Sequence, residues 1–536
     1  MRGVTDWPDN YDVGVRSMKS APRHFPFEQV WAPMVEEAWQ SVQREVSCVC
    51  LSDQAVLDLK GDLLMRVASI GSIPLWEFYT AWALCTHPTA LIGKNRNRTE
   101  VNEKFVQYML AAGLRDFIHD KNIVWTRIVD SVRLWKDWIK SFLFSLQRDT
   151  EILRNTFGME GEQSIRHIIT PMSDLHNGGR CVMGICTSDK NVPTFLYKPK
   201  NLGPEIIFRQ VLALIGKQDI TLTFREVKVI DGSNYGWVEA VVFREAENEG
   251  DLALFYMRVG VLLCVSYILR VTDLHAENIL AEGDTPHLLD LEAMFHPPSE
   301  GADCAFSVLS TGLLPPAGGN HLDVFGLTAI GGERTGMSHC VWSDVETNGA
   351  RPSFVDAVYA ECTNTPKICG QRVAAHLYAD EICRGFCHAY RALRDNYDQL
   401  RHLIRQAMAN PGFETRVIPR STMQYVLMLR NLTLQYYDDS SAIEGYIEMA
   451  LRDGGHHNLF DECNLLKSEA DALRRLDVPC FRVRGIDRDV IENNNIVQVC
   501  GARGAFDVAA RAFSDMSDLD MEYQTGLIRA SLATAS

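Results

Sequence analysis

Asp273-Leu-His275-Ala-Glu-Asn278, followed twelve residues later by Asp290-Leu-Glu292 at the end of an apolar run, is the stretch that decides the reading of this chain. One carboxylate stands five residues before an amide, and a second carboxylate closes the next apolar segment. Phosphoryl transfer accounts for that spacing. One carboxylate orients or deprotonates an attacking hydroxyl, while an amide oxygen and the other carboxylate hold magnesium against a triphosphate. Between them, Glu282-Gly-Asp-Thr-Pro286 has the residues of a tight hairpin turn. A purely structural role as turn formers and a cap would cover Asp273, Asn278 and Asp290 but leave His275 unexplained.

Upstream, Asp251 to Arg270 has helical periodicity, and Arg258 inside its apolar part makes Leu252–Leu269 a buried helix rather than a membrane span. Before that, CVMGIC (181–186), TFLYK (194–198), EVKVI (226–230) and YGWVEAVVF (235–243) read as strands. Small sheet, helix, then catalytic hairpin is the order of a kinase, with Asp273 and Asn278 as D-x-x-x-x-N and Asp290 at the place of the metal-binding Asp. Lys198 precedes Asp273 by 75 residues, the order expected of a lysine that meets ATP phosphates. No G-x-G-x-x-G precedes it. Ser173-Asp174-Leu-His176-Asn177-Gly178-Gly179-Arg180 is expected instead to approach phosphates through backbone N–H groups. Arg416-Val-Ile-Pro-Arg420-Ser-Thr422 sets two guanidinium groups beside hydroxyls, chemistry suited to a phosphate leaving group.

The flanks are helical. Apolar residues recur at three- and four-residue spacings from about Phe25 to Leu153, and helices are expected from Gly336 to the end, after a Gly- and Pro-rich stretch beyond Phe295. The expected organisation is a helical region over 1–165, a kinase-like core over 166–300, and a helical region over 301–536 with an activation-like segment and the arginine motif. With 536 residues, 46% apolar and 23% charged, the chain can bury two or three cores. A net charge of -16 argues against a general nucleic-acid or anionic-membrane binder. Fifteen scattered cysteines, and a start without a basic-then-apolar segment, read as cytoplasmic with reduced thiols. Cys48/Cys50 and Cys383/Cys387 each lack the second pair a structural zinc site needs.

Together, PFEQVWAPMVEEA, SDLHNGGR, FLYKP, YGWVEAV, TDLHAEN, LLDLEAMFHPP, STGLLPP, RVIPRSTMQY, LDVPCF and IRASL resemble the N-terminal dehydratase domain of LanM-type class II lanthipeptide synthetases. The resemblance implies an α+β, kinase-like fold related to lipid kinases, with a two-lobed core and a small antiparallel sheet, elaborated by large N- and C-terminal helical regions. It implies phosphorylation of Ser or Thr in a ribosomally made precursor peptide (leader plus core) with ATP and Mg2+, then phosphate elimination to dehydroalanine or dehydrobutyrine. On that likeness Lys198 contacts ATP, Asp273 is the catalytic aspartate, Asn278 and Asp290 bind magnesium, and His275 supports them. Asp174, His176, Arg416 and Thr422 serve elimination. Two positions depart from the pattern: Lys200 stands where the family often has Arg, and Cys480 replaces an aromatic. The zinc-dependent cyclase of full-length LanM proteins does not follow Ser536, so the expectation is a dehydratase that forms no rings, as in stand-alone enzymes of proteusin-type pathways. Other maturation enzymes of the same pathway are expected partners. A peptide or small-molecule kinase without lyase activity, or a leader-binding pseudoenzyme, stays open as an alternative.

Overall fold

The computed structural model describes residues 25–47, 50–159, 164–296, 306–315, 325–328, 334–410, 412–453, 462–485, 489–492, 495–499, 510 and 513–534. Cys48, the opening segment and most of the Gly- and Pro-rich stretch lie outside the described residues.

Five helices come first: α1 (Ala32–Gln43), α2 (Asp53–Thr86), α3 (Glu100–Tyr108), α4 (Leu114–Asp120) and α5 (Asn122–Phe157). α2 begins where the Ser52 hydroxyl accepts the Ala55 N–H at 3.1 Å, and α5 ends at Gly158 with φ 72, a left-handed stop that glycine takes without strain. Their apolar stripes bury Trp31, Trp39, Trp135 and Trp138 in one core.

That core is closed by the outer face of a five-stranded antiparallel sheet, ordered β1-β2-β3-β5-β4, with helix α6 (Gly203–Gly216) inserted between β3 and β4. The strands are β1 (His167–Ile169), β2 (Met183–Cys186), β3 (Phe195–Lys198), β4 (Val229–Asp231) and β5 (Gly236–Glu239). Strand alternation decides the faces. Phe195 and Tyr197 turn toward α5, where Tyr197 meets Phe142 at 5.1 Å, so Leu196 and Lys198 turn the other way, into a cleft.

Helix α7 (Glu249–Ile268) and the hairpin β6 (Ile279–Glu282) and β7 (Thr285–Leu288) form the opposite side of that cleft. α7 is long and apolar enough to cross a bilayer, yet it is a core helix with most of its apolar window buried. Its one basic residue has a local use: the Arg258 guanidinium holds the hairpin turn through the Asp284 carboxylate at 2.8 Å and carbonyl at 3.0 Å. Gly283, with φ 62, supplies the turn that the sequence implied.

The remainder, expected to be mostly helical, also contains strands. It contains the hairpin β8 (Arg334–Ser343) and β9 (Arg351–Val358), and the short pair β10 (Lys367–Ile368) and β11 (Gln371–Arg372). Helices α8 (Ala379–Asp395) and α9 (Tyr397–Met408) lead to β12 (Glu414–Val417). Helices α10 (Thr422–Leu434), α11 (Ser440–Asp453) and α12 (Glu462–Arg474) follow, then β13 (Phe481–Arg484), β14 (Asp489–Glu492) and β15 (Asn495–Val499). β12 to β15 make a second antiparallel sheet, and α13 (Asp518–Thr534) returns to the α7–α8 core. β12 is a four-residue strand parted from β13 by three helices, and so short a run leaves little periodicity of its own.

α7 and α8 approach backbone to backbone at Gly260 and Gly385. A β-carbon on Gly385 would run into the Met257 carbonyl, and one on Gly260 into that of Ile382. Gly385→Ala is expected to lower stability by roughly 1–3 kcal/mol, since neither backbone can yield. Gly61→Ala, where nothing lies within 4 Å, is expected to gain about 0.5–1 kcal/mol from helix propensity. Urea midpoints of the two variants, at unchanged m, check both.

Candidate active site

The loop after α7 is strained where its chemistry lies. Asp273 has φ 66, a conformation that costs an ordinary residue roughly 1–3 kcal/mol and persists only when its surroundings impose it. Thr311 imposes it from below, its carbonyl accepting the Leu274 N–H at 3.0 Å, and Gly312 passes so close that a β-carbon would sit 3.0 Å from that nitrogen. The Thr-Gly of STGLLPP is therefore a support for the loop that carries Asp273. Within the loop, Asn278 Nδ2 donates to the Asp273 carbonyl at 2.8 Å and lies 3.1 Å from His275 Nε2. His275 thus fixes the side-chain amide, leaving its oxygen as the group able to bind a cation.

Two lysines, not one, enter from β3. Lys198 donates to the Leu289 carbonyl at 2.5 Å and lies 3.6 Å from Glu205 on α6. Lys200 is the one that holds Asp290, at 2.5 Å, with Glu292 at 3.4 Å and Glu205 at 3.6 Å. Lys200 lies in the bend just past the strand, and the two ammonium groups converge on Glu205, while Asp290 and Glu292 converge on Lys200. Burial weakens the Lys198 ammonium, and Lys200 beside it adds to the effect. Burial also opposes the charge on Lys200, but Asp290, Glu292 and Glu205 outweigh it and hold that group well above the usual lysine range. Lys198 and Glu205 border a cleft of about 770 Å3 whose apolar lining includes Leu196, Val238, Leu262 and Leu291.

Arg416 closes the far side. Its guanidinium bonds Glu292 Oε1 at 2.7 Å, and its backbone N–H bonds the Glu292 carbonyl, also at 2.7 Å. Burial opposes the Glu292 charge, and Lys200 and Arg416 together overcome it, pushing that carboxyl far below its ordinary range. The β1–β2 connection brings Asp174 and His176 to the same place. Asp174 is buried, which pushes it up to about 6, with Glu277, Arg416 and His275 as charged neighbours. His176 is held neutral, lowered to about 3 by burial and then by Arg416, and its Nδ1 has no hydrogen-bond partner among the described residues.

Three expectations change here. The glycine turn after His176 does not offer its N–H groups to phosphates, because Gly178 and Gly179 donate to the buried Asp477 carboxylate, at 2.5 Å from Gly178. Val478 N–H also bonds the Leu175 carbonyl, so LDVPCF is the clamp that seats the turn. Arg420 is not a second phosphate cation: it is fully buried on Glu469 at 2.7 Å, a carboxylate that Tyr425 also bonds. Thr422 is buried at the start of α10, and among the described residues no hydrogen bond joins it to Arg416, Asp174 or His176. Sequence reasoning had assigned no role to Glu205, Glu292 or Asp477. The i, i+2 repeats K-P-K and D-L-E were the available signal for Glu292, whereas nothing local marked Asp477.

No group of three His, Cys, Asp or Glu side chains gathers as a metal cluster among the described residues. A magnesium site needs none, since one or two carboxylates and substrate phosphates suffice. The donors fit that hard cation: the Asp290 carboxylate is the most exposed of the three acids here, at 35% against 22% for Glu292 and 4% for Glu205, and the Asn278 amide oxygen is left over from the loop's own bonds.

Residues 123–484, from the start of α5 to the end of β13, match the family described as "Domain of unknown function (DUF4135)". The chain belongs to the DUF4135 family. The side chains of the candidate site, from Asp174 to Asp477, fall inside that DUF4135 span. The chain is also 24% identical over 406 residues to "Lacticin 481/lactococcin biosynthesis protein LcnDR2" of Lactococcus lactis subsp. lactis. That alignment takes in 69% of this chain and 41% of the relative, so the chain spans about two fifths of the protein it matches.

A buried carboxyl raised to about 6 makes a stability prediction. In the unfolded chain Asp174 titrates near 3.9, so between about pH 4 and 6 the folded state binds the extra proton and stability falls as pH rises. Asp174→Asn lacks that slope. The variant is expected to match wild type near pH 4 and to exceed it at pH 8 by up to about 3 kcal/mol, read from urea titrations across that range.

Proposed function

We propose that this chain is a LanM-like dehydratase: it phosphorylates a Ser or Thr hydroxyl of a ribosomally made peptide with ATP, then eliminates the phosphate to leave a dehydroamino acid. The observation that carries the reading is Glu292, which touches Lys200 of the nucleotide-facing group at 3.4 Å and Arg416 of the opposite wall at 2.7 Å. Two sets of residues with different chemistry share one carboxylate. The likeness to a lacticin 481 biosynthesis protein supports a lanthipeptide substrate. The likeness to a kinase rests on the five-stranded sheet, its inserted helix and the order of Lys198, Asp273, Asn278 and Asp290.

In the first step Asp273 orients the substrate hydroxyl and accepts its proton, while Lys198 meets the nucleotide phosphates with Glu205 behind it. Asn278 and Asp290 would hold magnesium, which when bound would neutralise phosphate charge. In the second step a base removes the α-proton, the electron pair forms the C=C bond, and the C–O bond breaks with phosphate taking its electrons. Asp174 is the residue suited to that base role, because its carboxyl lies near neutral pH, whereas His176, lowered to about 3, is a weak proton acceptor. Arg416 meets the leaving phosphate as its charge grows. His176 stays uncharged between them, so it adds no competing cation.

Incubation of a precursor peptide with ATP and magnesium, followed by mass spectrometry, tests this. Wild type is expected to give peptide short of one water per modified residue. Asp273→Asn is expected to lose roughly 10²- to 10⁴-fold in rate and leave peptide unmodified. Asp174→Asn and Arg416→Gln are expected to accumulate phosphopeptide. Phosphopeptide as the end product of wild type would leave a kinase alone, and no modification by any form would reject the reaction.

A further inference from the structure

Beside the cleft lies a second recess, of about 490 Å3, that the proposed reaction has not used. Four guanidinium groups line it, from Arg180, Arg475, Arg482 and Arg484, against one carboxylate, Glu414. In a chain with a net charge of -16 this is a local reversal of sign. Glu414 is shared between Arg482 at 3.0 Å and Arg484 at 2.9 Å, and Arg475 reaches Glu492 only at 3.6 Å. The Arg180 guanidinium has no hydrogen bond or ion pair among the described residues, and it projects from the turn that carries Asp174 and His176.

The recess also abuts the reaction centre. Arg482 is the register partner of Arg416 across β12 and β13, so their side chains leave the same face of the sheet. Asn177 and Gly178 form its other wall, one residue from His176. Guanidinium forks match the oxygens of a phosphate in pairs, and no lysine lines the recess.

We propose that this recess is a phosphate subsite, next to Arg416, for either the phosphorylated side chain before elimination or the inorganic phosphate released by it. The proposal rests on the two-step reading above, but its test does not need turnover. Calorimetric titration of the full chain with inorganic phosphate at fixed ionic strength, with acetate as control, is expected to show one site that prefers phosphate. Arg475→Gln/Arg484→Gln, both partly exposed positions, and separately Arg180→Gln, are each expected to weaken phosphate at least tenfold while the rate of peptide phosphorylation stays within twofold. A phosphoserine peptide that competes with phosphate and loses the same factor identifies the side-chain occupant; one that does not compete identifies the released ion. The proposal is overturned if acetate or a glutamate peptide binds as well as the phosphate forms. It is also overturned if wild type binds no phosphate, or if only Arg416→Gln abolishes binding. Phosphate binding that is lost in the recess variants, in an enzyme that modifies no peptide, would keep the subsite and reject the reaction instead.

Discussion

The Glu292–Arg416 contact is the constraint on which the site depends. Two charges removed from water repay their desolvation only when geometry and further hydrogen bonds are good. Here the side chains meet at 2.7 Å, the backbones meet at 2.7 Å, and Lys200 stands on the other carboxylate oxygen. Removing either partner would leave a buried charge alone, a situation worth roughly 3–5 kcal/mol. The pair joins the strand exit after β7 to β12, segments 124 residues apart, and so fixes where an otherwise separate sheet meets the catalytic loop.

A second constraint acts on the opposite wall. The β1–β2 turn bends through three consecutive positive φ values, Asn177 at 51, Gly178 at 85 and Gly179 at 74, and turns of that kind hold their shape only when something binds the N–H groups they expose. Asp477 binds them from the connection between α12 and β13, while the buried Arg66 of α2, itself paired with Asp62 at 3.0 Å, fixes the turn's position by donating to the Gly179 carbonyl at 2.6 Å. The first helical region and the segment leading into β13 therefore grip the same eight residues. Those flanking regions hold in place the turn that brings Asp174 and His176 into the field of Arg416.

This explains what could be read from the chain alone. Asp273, His275, Asn278 and Asp290 are local in sequence and are legible from spacing, as is the hairpin turn at Gly283, and the lysine strand is legible from the aromatic-rich run TFLYK. The Arg416 and Asp174 motifs stand out by residue type, but a role in elimination follows only from the resemblance, because their partners lie more than a hundred residues away. Arg420 misled for the same reason: adjacent to Arg416 in sequence, it leaves the strand after Pro419 and turns into a dry pocket with Glu469. β12 to β15 escaped because strands of four or five residues carry no pattern long enough to count.

The carboxylates finally divide by environment rather than by type. Glu292 lies between Lys200 and Arg416 and is held as an anion throughout any ordinary pH range, so it cannot exchange protons and acts as a fixed charge. Asp174, buried with weaker compensation, sits near neutrality and can exchange them. Asp273 is raised by burial too, with His275 and Arg416 pulling it back. When neighbouring acids are pushed apart in this way, the proton-transfer roles go to the raised ones and the electrostatic role to the depressed one. The proposed reaction, which takes one proton from a hydroxyl and a later one from carbon, calls for two such acids around one constant charge, and Asp273 and Asp174 both have Arg416 of that ion pair as a charged neighbour.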